Sequence, residues 1–304
     1  MGCVDSWRIR FEMEPVFKVN PLLREDDLGL DPQKGRYTMQ TITLNNGVKI
    51  PVIGLGTWDL RGKNCERVVQ TAIEEGYRLI DTAQMYENEE EIGRATRQSG
   101  VPREHLFITT KLCRPSDGYE AATRDIEVSL RRLRMDYIDL LLIHEVYSDP
   151  QGMYRAFKDA LRAGKVRAIG ISNFMEDDYR TFVDSCEIIP AVNQVEAHVY
   201  LVMQRLQSVL NGYGTVMQAW APFTQGKKNL FVEPVLVEIG LAHGKSAAQV
   251  ALRYLIQNGM AAIPKSTHRA RLKENLNIFD FTLSHAEMGH IAQRDEGKSL
   301  FGWY

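Results

Sequence analysis

The stretch Val52-Ile-Gly-Leu-Gly-Thr-Trp58 decides between the two folds open to a chain of alternating strands and helices. A doubly wound dinucleotide-binding sheet places Gly-x-Gly-x-x-Gly directly after its first strand and opens a helix with it. Here the second glycine is followed by Thr57 and Trp58, without a third glycine and without a helix start. The stretch therefore favours a closed (β/α)8 TIM barrel over the open sheet.

Eight short apolar runs alternate with longer helical patterns from this point to the C-terminus, as in a parallel barrel. The runs are apolar on both faces because strands under a layer of helices are buried on both sides. Helix signals lie between them, in Cys65–Glu75, in Glu87–Gln98 and in the capping box Ser246-Ala-Ala-Gln249. The predicted strands are Val52–Gly56, Arg78–Asp81, Leu106–Lys111, Tyr137–His144, Val166–Ser172, Ala191–Gln194, Thr215–Trp220 and Ala261–Lys265.

A β-hairpin is predicted ahead of the barrel, since Thr41–Leu44 and Val48–Pro51 flank Asn45-Asn46-Gly47, and Asn-Gly is a strong turn signal. We expect it to close the bottom of the barrel. Residues 1–38 mix charge and proline without a sustained period, which predicts a poorly ordered N-terminal extension ahead of a single (β/α)8 barrel domain at 39–304. Met1-Gly2-Cys3 with Ser6 matches the N-myristoylation pattern, and a leader or an upstream start site is the alternative.

Composition excludes several classes of protein. The chain has 304 residues, 44% of them hydrophobic, and a net charge of −2, which gives no support for nucleic-acid or membrane binding. The four cysteines form no Cys-x-x-Cys pair, and there is no His-Glu-x-x-His, so we expect no metal site and a reducing, cytoplasmic location.

Polar side chains follow the C-terminal ends of the predicted strands. Asp81, Lys111 and His144 end three successive strands, and Tyr86 follows five residues after Asp81. Taken singly, they are a common helix cap, a solvated lysine, a core histidine and a packing tyrosine. Because all strands of a (β/α)8 barrel end at the one rim that carries the active site, their coincidence favours a catalytic site.

These four residue types suit the protonation of a carbonyl oxygen. Tyrosine has an ordinary pKa of about 10, and we expect the Lys111 ammonium to lower the pKa of Tyr86. A charged lysine in a dry site needs a carboxylate such as Asp81, while a neutral His144 can orient the carbonyl. No side chain supplies a hydride, so reduction requires a nicotinamide cofactor.

From about residue 40 to 296 the chain resembles the aldo-keto reductases, and within them most closely the microbial group that includes the 2,5-diketogluconate reductases. The matching motifs are Gly76-Tyr-Arg-Leu-Ile-Asp81-Thr-Ala-Gln-Met-Tyr86-Glu-Asn-Glu, Thr109-Thr-Lys111, Leu141-Leu-Ile-His144, Gly170-Ile-Ser172-Asn173-Phe, Asn193-Gln194-Val-Glu and Ile263-Pro-Lys265-Ser266.

The resemblance implies reversible NADPH-dependent reduction of an aldehyde or ketone, with Tyr86 as the acid, Lys111 and Asp81 as its support and His144 on the carbonyl. Arg271 and Lys265 suit a 2′-phosphate, and a barrel commonly binds phosphate beside its last two strands. The implied cofactor-binding residues are Thr57, Asp81, Ser172, Asn173, Gln194, Trp220, Lys265, Ser266, Arg271, Glu274 and Asn275.

The substrate side departs from the family pattern. Trp58 remains as an apolar wall of the family's pocket and His144 is expected to contact the substrate, but Cys113 and Glu145 stand where the family often has tryptophan, which predicts a wider, more polar site. We expect a keto-sugar or small dicarbonyl as substrate; Glu145 either hydrogen-bonds such a substrate or faces solvent. The chain stops at Tyr304, so the C-terminal specificity loop of the family is expected to be short or missing.

Two other classes of protein are weighed against a reductase. The family also contains lens structural proteins and potassium-channel subunits, but the complete set of four residues favours catalysis. A barrel hydrolase with Asp81 and Glu196 as paired acids leaves Lys111 unexplained. We expect a monomer with a small-molecule substrate as its partner.

Overall fold

The computed structural model describes residues 30–31, 36–37, 40–302 and 304. Within the predicted N-terminal extension it therefore describes only two short strands, β1 (Leu30–Asp31) and β2 (Arg36–Tyr37), which pair antiparallel. The rest of that extension, including Gly2 and its acylation pattern, lies outside the described residues.

Eight parallel strands form a barrel, and each pairs with the next along the chain. The first and last strands meet through a parallel bridge between Ile53 and Ala262, with the Ala262 amide donating to the Val52 carbonyl at 2.8 Å. This confirms the (β/α)8 barrel. The strands are β5 (Gly54–Gly56), β6 (Leu79–Asp81), β7 (Phe107–Leu112), β8 (Ile138–Ile143), β9 (Val166–Ser172), β10 (Val192–Glu196), β11 (Val216–Trp220) and β12 (Ala261–Ala262).

The strands are buried on both faces, as their continuous apolar runs predicted. Every residue of β7 and β8 is buried. Gly170 in β9 allows close approach to β10, because a Cβ at this position would lie 2.5 Å from the Val192 carbonyl oxygen. The core therefore fills the barrel and the layer between strands and helices.

Helices surround the barrel and end before the next strand begins. The predicted capping box is confirmed, since the Ser246 side chain accepts from the Gln249 amide and the Gln249 side chain accepts from the Ser246 amide. The described α-helices are α1 (Gly62–Glu75), α2 (Glu89–Gln98), α3 (Tyr119–Leu133), α4 (Pro150–Arg162), α5 (Glu176–Val183), α6 (Gln204–Gly212), α7 (Pro234–His243), α8 (Ala247–Gln257), α9 (Arg269–Leu276) and α10 (His285–Ala292).

The N-terminal hairpin consists of β3 (Thr41–Thr43) and β4 (Lys49–Pro51). Side-chain amides of its turn reach the lower barrel, where Asn46 donates to the Arg167 carbonyl at 2.9 Å and Asn45 to the Pro190 carbonyl at 3.2 Å. Both acceptors lie at the start of a barrel strand, so the hairpin covers the bottom as expected.

Candidate active site

Lys111 is the centre of a buried polar cluster at the upper rim. Its ammonium donates to Asp81 Oδ1 at 2.5 Å and to the Thr82 carbonyl at 2.9 Å. It also lies 5.0 Å from the centre of the Tyr86 ring. Burial lowers the pKa of Lys111, but the Asp81 charge and Tyr86 outweigh it and raise this pKa above its ordinary value.

Strand register explains why Asp81 and Lys111 meet. Asp81 on β6 pairs with Thr109 on β7, and Lys111 lies two residues further along β7, so its side chain points to the same face as that of Thr109. Asp81 Oδ2 accepts from Gln194 Nε2 at 2.7 Å. Burial raises the pKa of Asp81, and Lys111 and Gln194 oppose this shift. Both oxygens of the carboxylate are thus occupied, as a buried carboxylate requires.

Tyr86 lies in a 3₁₀ turn, Gln84–Tyr86, which precedes the helix α2 predicted from Glu87. The helix begins two residues later than expected because Glu87 takes a left-handed conformation, with φ of 52°. The Tyr86 ring packs edge-on against Trp58, with centroids 5.1 Å apart, and against His144 at 5.7 Å. This turn holds the phenol at the cavity.

The expectation that Lys111 lowers the pKa of Tyr86 is wrong for the net shift. Burial raises the pKa of Tyr86, the Lys111 charge opposes this, and the Asp81 charge adds to the rise. Desolvation outweighs the Lys111 charge because the adjacent Asp81 charge cancels part of it. The phenol is therefore protonated at neutral pH and can donate a proton.

His144 follows directly after β8 and is 7% exposed. Burial and then the Lys111 charge hold the pKa of His144 well below its ordinary value. Its backbone carbonyl accepts from the Asn173 amide at 3.0 Å, which ties the ends of β8 and β9 together. His144 is thus a neutral imidazole with one N–H to donate.

Amide and hydroxyl groups line the opposite side of the rim. Ser172 donates to the Gln194 carbonyl at 2.7 Å, and the Trp220 indole donates to Asn173 Oδ1 at 2.9 Å. Gln194 Nε2 donates both to Asp81 and to Gln218 Oε1 at 2.7 Å. Only the side-chain oxygen of Gln194 can therefore serve a ligand, and an amide N–H is a suitable partner for it.

Two cavities open at this rim, and Lys265 lines both. The first, of about 470 Å³, is lined by the predicted Thr57, Trp58, Asp81, Tyr86, His144, Ser172, Asn173, Gln194, Trp220 and Lys265, and also by Gly56, Asp59, Met85, Ala221, Gln225, Ile263 and Phe301. The second, of about 610 Å³, is lined by the predicted Lys265, Ser266, Arg271, Glu274 and Asn275, and also by Phe223, Phe231, Ser246, Ala247, Ala248, Thr267 and His268.

Cys113 and Glu145 are not brought to the wall of the first cavity, although the sequence predicted substrate contacts for both. Burial raises the pKa of Glu145 and the nearby Arg114 charge opposes it. Cys113 directly precedes the 3₁₀ turn that contains Arg114. Glu145 thus lies near Arg114, the residue that follows Cys113 in the chain.

Asn88 is a site residue that sequence reasoning missed. Its Nδ2 donates to the carbonyls of Thr57 and Leu60, both at 3.0 Å, and its Oδ1 accepts from the Thr82 hydroxyl at 2.5 Å. It therefore holds the loop of Trp58 against the segment that leads to Tyr86. The signal was available, because Asn88 belongs to the quoted motif around Tyr86.

The residues that the structure describes hold neither a metal-binding cluster nor a membrane-spanning helix. No three or more His, Cys, Asp or Glu side chains are gathered there as a metal site would need. None of the helices described has both the length and the apolar character required to span a bilayer.

The chain belongs to the aldo/keto reductase family, which residues 52–296 match. It is therefore an oxidoreductase that acts on carbonyl and CH–OH groups. The narrower resemblance to the 2,5-diketogluconate reductase group stays a prediction.

Among its relatives, the chain is 41% identical to morphine 6-dehydrogenase from Pseudomonas putida, over 84% of this chain and 91% of that protein. It is 43% identical to glyoxal reductase from Bacillus subtilis, over 83% and 91% of the two chains. A crystal structure of a Bombyx mori aldo-keto reductase in complex with NADP superimposes with a TM-score of 0.81 at 32% identity, and covers 86% of this chain and 94% of that one.

Proposed function

We propose that this protein reduces small aldehydes or ketones to alcohols with NADPH, reversibly, and that Tyr86 gives the proton. The observation that carries the proposal is the buried Lys111, which contacts both Asp81 and Tyr86 beside a neutral His144. A hydrolase would need Glu196 as a second acid, but this residue does not line the cavity and its carboxylate accepts hydrogen bonds from Ser299 and Leu300.

The residues present fit a nicotinamide dinucleotide phosphate. Two cavities meet at Lys265, as a ligand with a reactive end and a phosphorylated adenosine end requires. Ser172, Asn173 and Gln194 would hold the carboxamide, and Trp220 would stack on the nicotinamide. Arg271, in the second cavity, would pair with the 2′-phosphate in a forked hydrogen bond. When bound, the cofactor supplies the hydride that a carbonyl carbon accepts.

The chain's own residues then handle the proton. The His144 N–H orients the carbonyl oxygen, and the Tyr86 hydroxyl donates its proton to that oxygen as negative charge develops there. Lys111 stabilises the phenolate that remains, and Asp81 keeps Lys111 charged in the dry interior. Proton return from water restores Tyr86.

The cavity supports a small substrate. Its volume of about 470 Å³ is bounded by the rings of Trp58 and Phe301, and Asp59 and Gln225 supply polar groups. A relative named glyoxal reductase is consistent with a dicarbonyl. We therefore propose a small dicarbonyl or a keto-sugar as the preferred substrate class.

We further propose that residues 39–304 act as one monomeric catalytic unit in the cytoplasm, with residues 1–38 as an extension outside it. The residues that line both cavities lie between Gly56 and Phe301, which supports 39–304 as the catalytic unit. Cys65, Cys113 and Cys186 are free thiols, as in a reducing compartment.

Nicotinamide absorbance during incubation with NADPH tests the proposal. We expect loss of NADPH with glyoxal, methylglyoxal or a keto-sugar, with faster turnover than with benzaldehyde. NADPH binding without turnover of any carbonyl would instead indicate a structural or channel-subunit role, and no NADPH binding would contradict the cofactor.

A further inference from the structure

The C-terminal segment, residues 299–302 and 304, is bound to the end of β10 by one residue, Glu196. The Ser299 hydroxyl donates to Glu196 Oε2 at 2.6 Å, and the Leu300 amide donates to Oε1 at 2.8 Å. The Glu196 amide in turn donates to the Tyr304 hydroxyl at 2.9 Å. Side chain and backbone of Glu196 thus make three hydrogen bonds to this segment.

Glu196 is fully buried and has no part in the proposed chemistry. Its carboxylate also lies 3.0 Å from His198 Nε2. Burial raises the pKa of Glu196, but hydrogen bonds from His198, Ser299 and Leu300 outweigh it and lower this pKa. A buried carboxylate is costly unless it is hydrogen-bonded, so the segment and the carboxylate stabilise each other.

The same segment places an aromatic ring in the wall of the first cavity. Phe301 lines that cavity and packs edge-on against Trp220, with ring centroids 5.1 Å apart. The Lys227 ammonium lies 4.5 Å from the Phe301 ring and donates to the Leu300 carbonyl at 2.8 Å. Phe301 therefore directly follows Leu300, which Glu196 holds, and packs next to Trp220.

We propose that Glu196 is a positioning residue that anchors the C-terminal segment and, through Phe301, sets the size of the carbonyl-binding cavity. The proposal rests on the proposed function for its effect on substrate, but not for the anchoring itself. Among the described residues, no hydrogen bond, ion pair or ring contact joins Phe301 or Glu196 to the four residues of the proton step, so we expect loosening of the segment to act on substrate fit and leave proton transfer intact.

The test compares Glu196→Ala with wild type in two independent measurements. We expect carboxypeptidase to remove the C-terminal residues at least about tenfold faster from Glu196→Ala, because three hydrogen bonds to the segment are weakened or lost. With a small dicarbonyl, KM rises about tenfold, while kcat and the NADPH Kd change less than about twofold. Glu238→Ala, an exposed carboxylate on α7, is the matched control and changes neither measurement.

Three further variants separate anchoring from loss of stability. Phe301→Ala raises KM as Glu196→Ala does, and the double variant raises it no further, because both act through one ring. Glu196→Gln raises KM and carboxypeptidase sensitivity less than Glu196→Ala does, since the side-chain oxygen of glutamine still accepts from the Leu300 amide. The proposal is overturned if the effects of Glu196→Ala and Phe301→Ala on KM add in the double variant. It is also overturned if Glu196→Gln behaves no better than Glu196→Ala.

Unchanged carboxypeptidase sensitivity in Glu196→Ala overturns the anchoring, whether or not the wild type reduces carbonyls. Faster trimming with an unchanged KM overturns the link to the cavity. Wild-type protein that turns over no carbonyl refutes the proposed function, and carboxypeptidase trimming still decides the anchoring.

Discussion

Lys111 shows which properties of a site residue can be predicted from the sequence. Its position at the end of a strand was readable from the sequence, and so was its need for a carboxylate. The net pKa of Tyr86 was not, because desolvation depends on walls built by distant parts of the chain, among them Trp58 and His144. Residue type and strand position predict the partners of a side chain, whereas its burial is known only from the folded structure.

Replacing Lys111 with Met should lower the free energy of unfolding by about 3–5 kcal/mol, because it leaves the Asp81 carboxylate buried without its counter-charge. Urea unfolding measures this loss. Adding Asp81→Asn to Lys111→Met should recover part of it, since the double variant buries no charge. A Lys111→Met protein as stable as wild type would contradict the buried pair.

His144 should make the fold sensitive to mild acid. Its folded-state pKa is well below 6.5, so below about pH 6.5 the unfolded chain binds a proton that the folded chain does not. The free energy of unfolding then falls as pH drops, by at most about 1.4 kcal/mol per pH unit from this residue. Urea unfolding at pH 7 and pH 5.5 should show a smaller loss in His144→Asn than in wild type. Equal losses would mean that His144 titrates normally.

Asp59 should weaken NADPH binding. It lines the first cavity, and its carboxylate lies 3.6 Å from the Lys265 ammonium, where it competes with cofactor phosphates. The pair is exposed and therefore weak, so Asp59→Asn should lower the NADPH Kd only about two- to fivefold in a fluorescence titration. Asp178→Asn, an exposed change on α5, is the control. Weaker binding in Asp59→Asn would show that Asp59 helps to hold the cofactor.

The sequence predicted the positions of the strands better than it predicted where each strand ends. All eight predicted barrel strands form, but β12 covers only Ala261–Ala262, so Lys265 lies in the loop between the two cavities. Helix α2 starts two residues later than predicted because Glu87, directly after the turn of Tyr86, takes a left-handed conformation. Both departures lie at the site, where loop geometry overrides local propensity.

Gly93 in α2 tests how closely two helices pack. A Cβ at this position would lie 2.1 Å from the Leu133 carbonyl oxygen in α3, which is backbone and cannot move aside easily. Gly93→Ala should therefore lower the free energy of unfolding by about 1–3 kcal/mol. Gly289→Ala in α10 meets no atom within 4 Å and should raise it by about 0.5–1 kcal/mol. The same sign for both variants in thermal unfolding would refute this packing argument.

For the molecule as a whole, alternating strand and helix patterns predicted the barrel, an Asn-Gly turn predicted its bottom hairpin, and the family motifs predicted most of the lining of the first cavity. The C-terminal segment could not be foreseen, because its contacts with Glu196 bridge about a hundred residues and no periodic pattern marks them. Long-range polar pairing between irregular segments has no local signature. Cys113 and Glu145 show the converse, since family position suggested a contact that the first cavity does not include.

The turnover number of Tyr86→Phe at saturating NADPH decides whether Tyr86 is the proton donor. The variant keeps the ring that packs on Trp58 and His144 but lacks the proton that Lys111 helps to release. We predict that kcat falls about 10²- to 10⁴-fold, with the NADPH Kd within about twofold of wild type. Full turnover by Tyr86→Phe would contradict the assignment of Tyr86 as the proton donor.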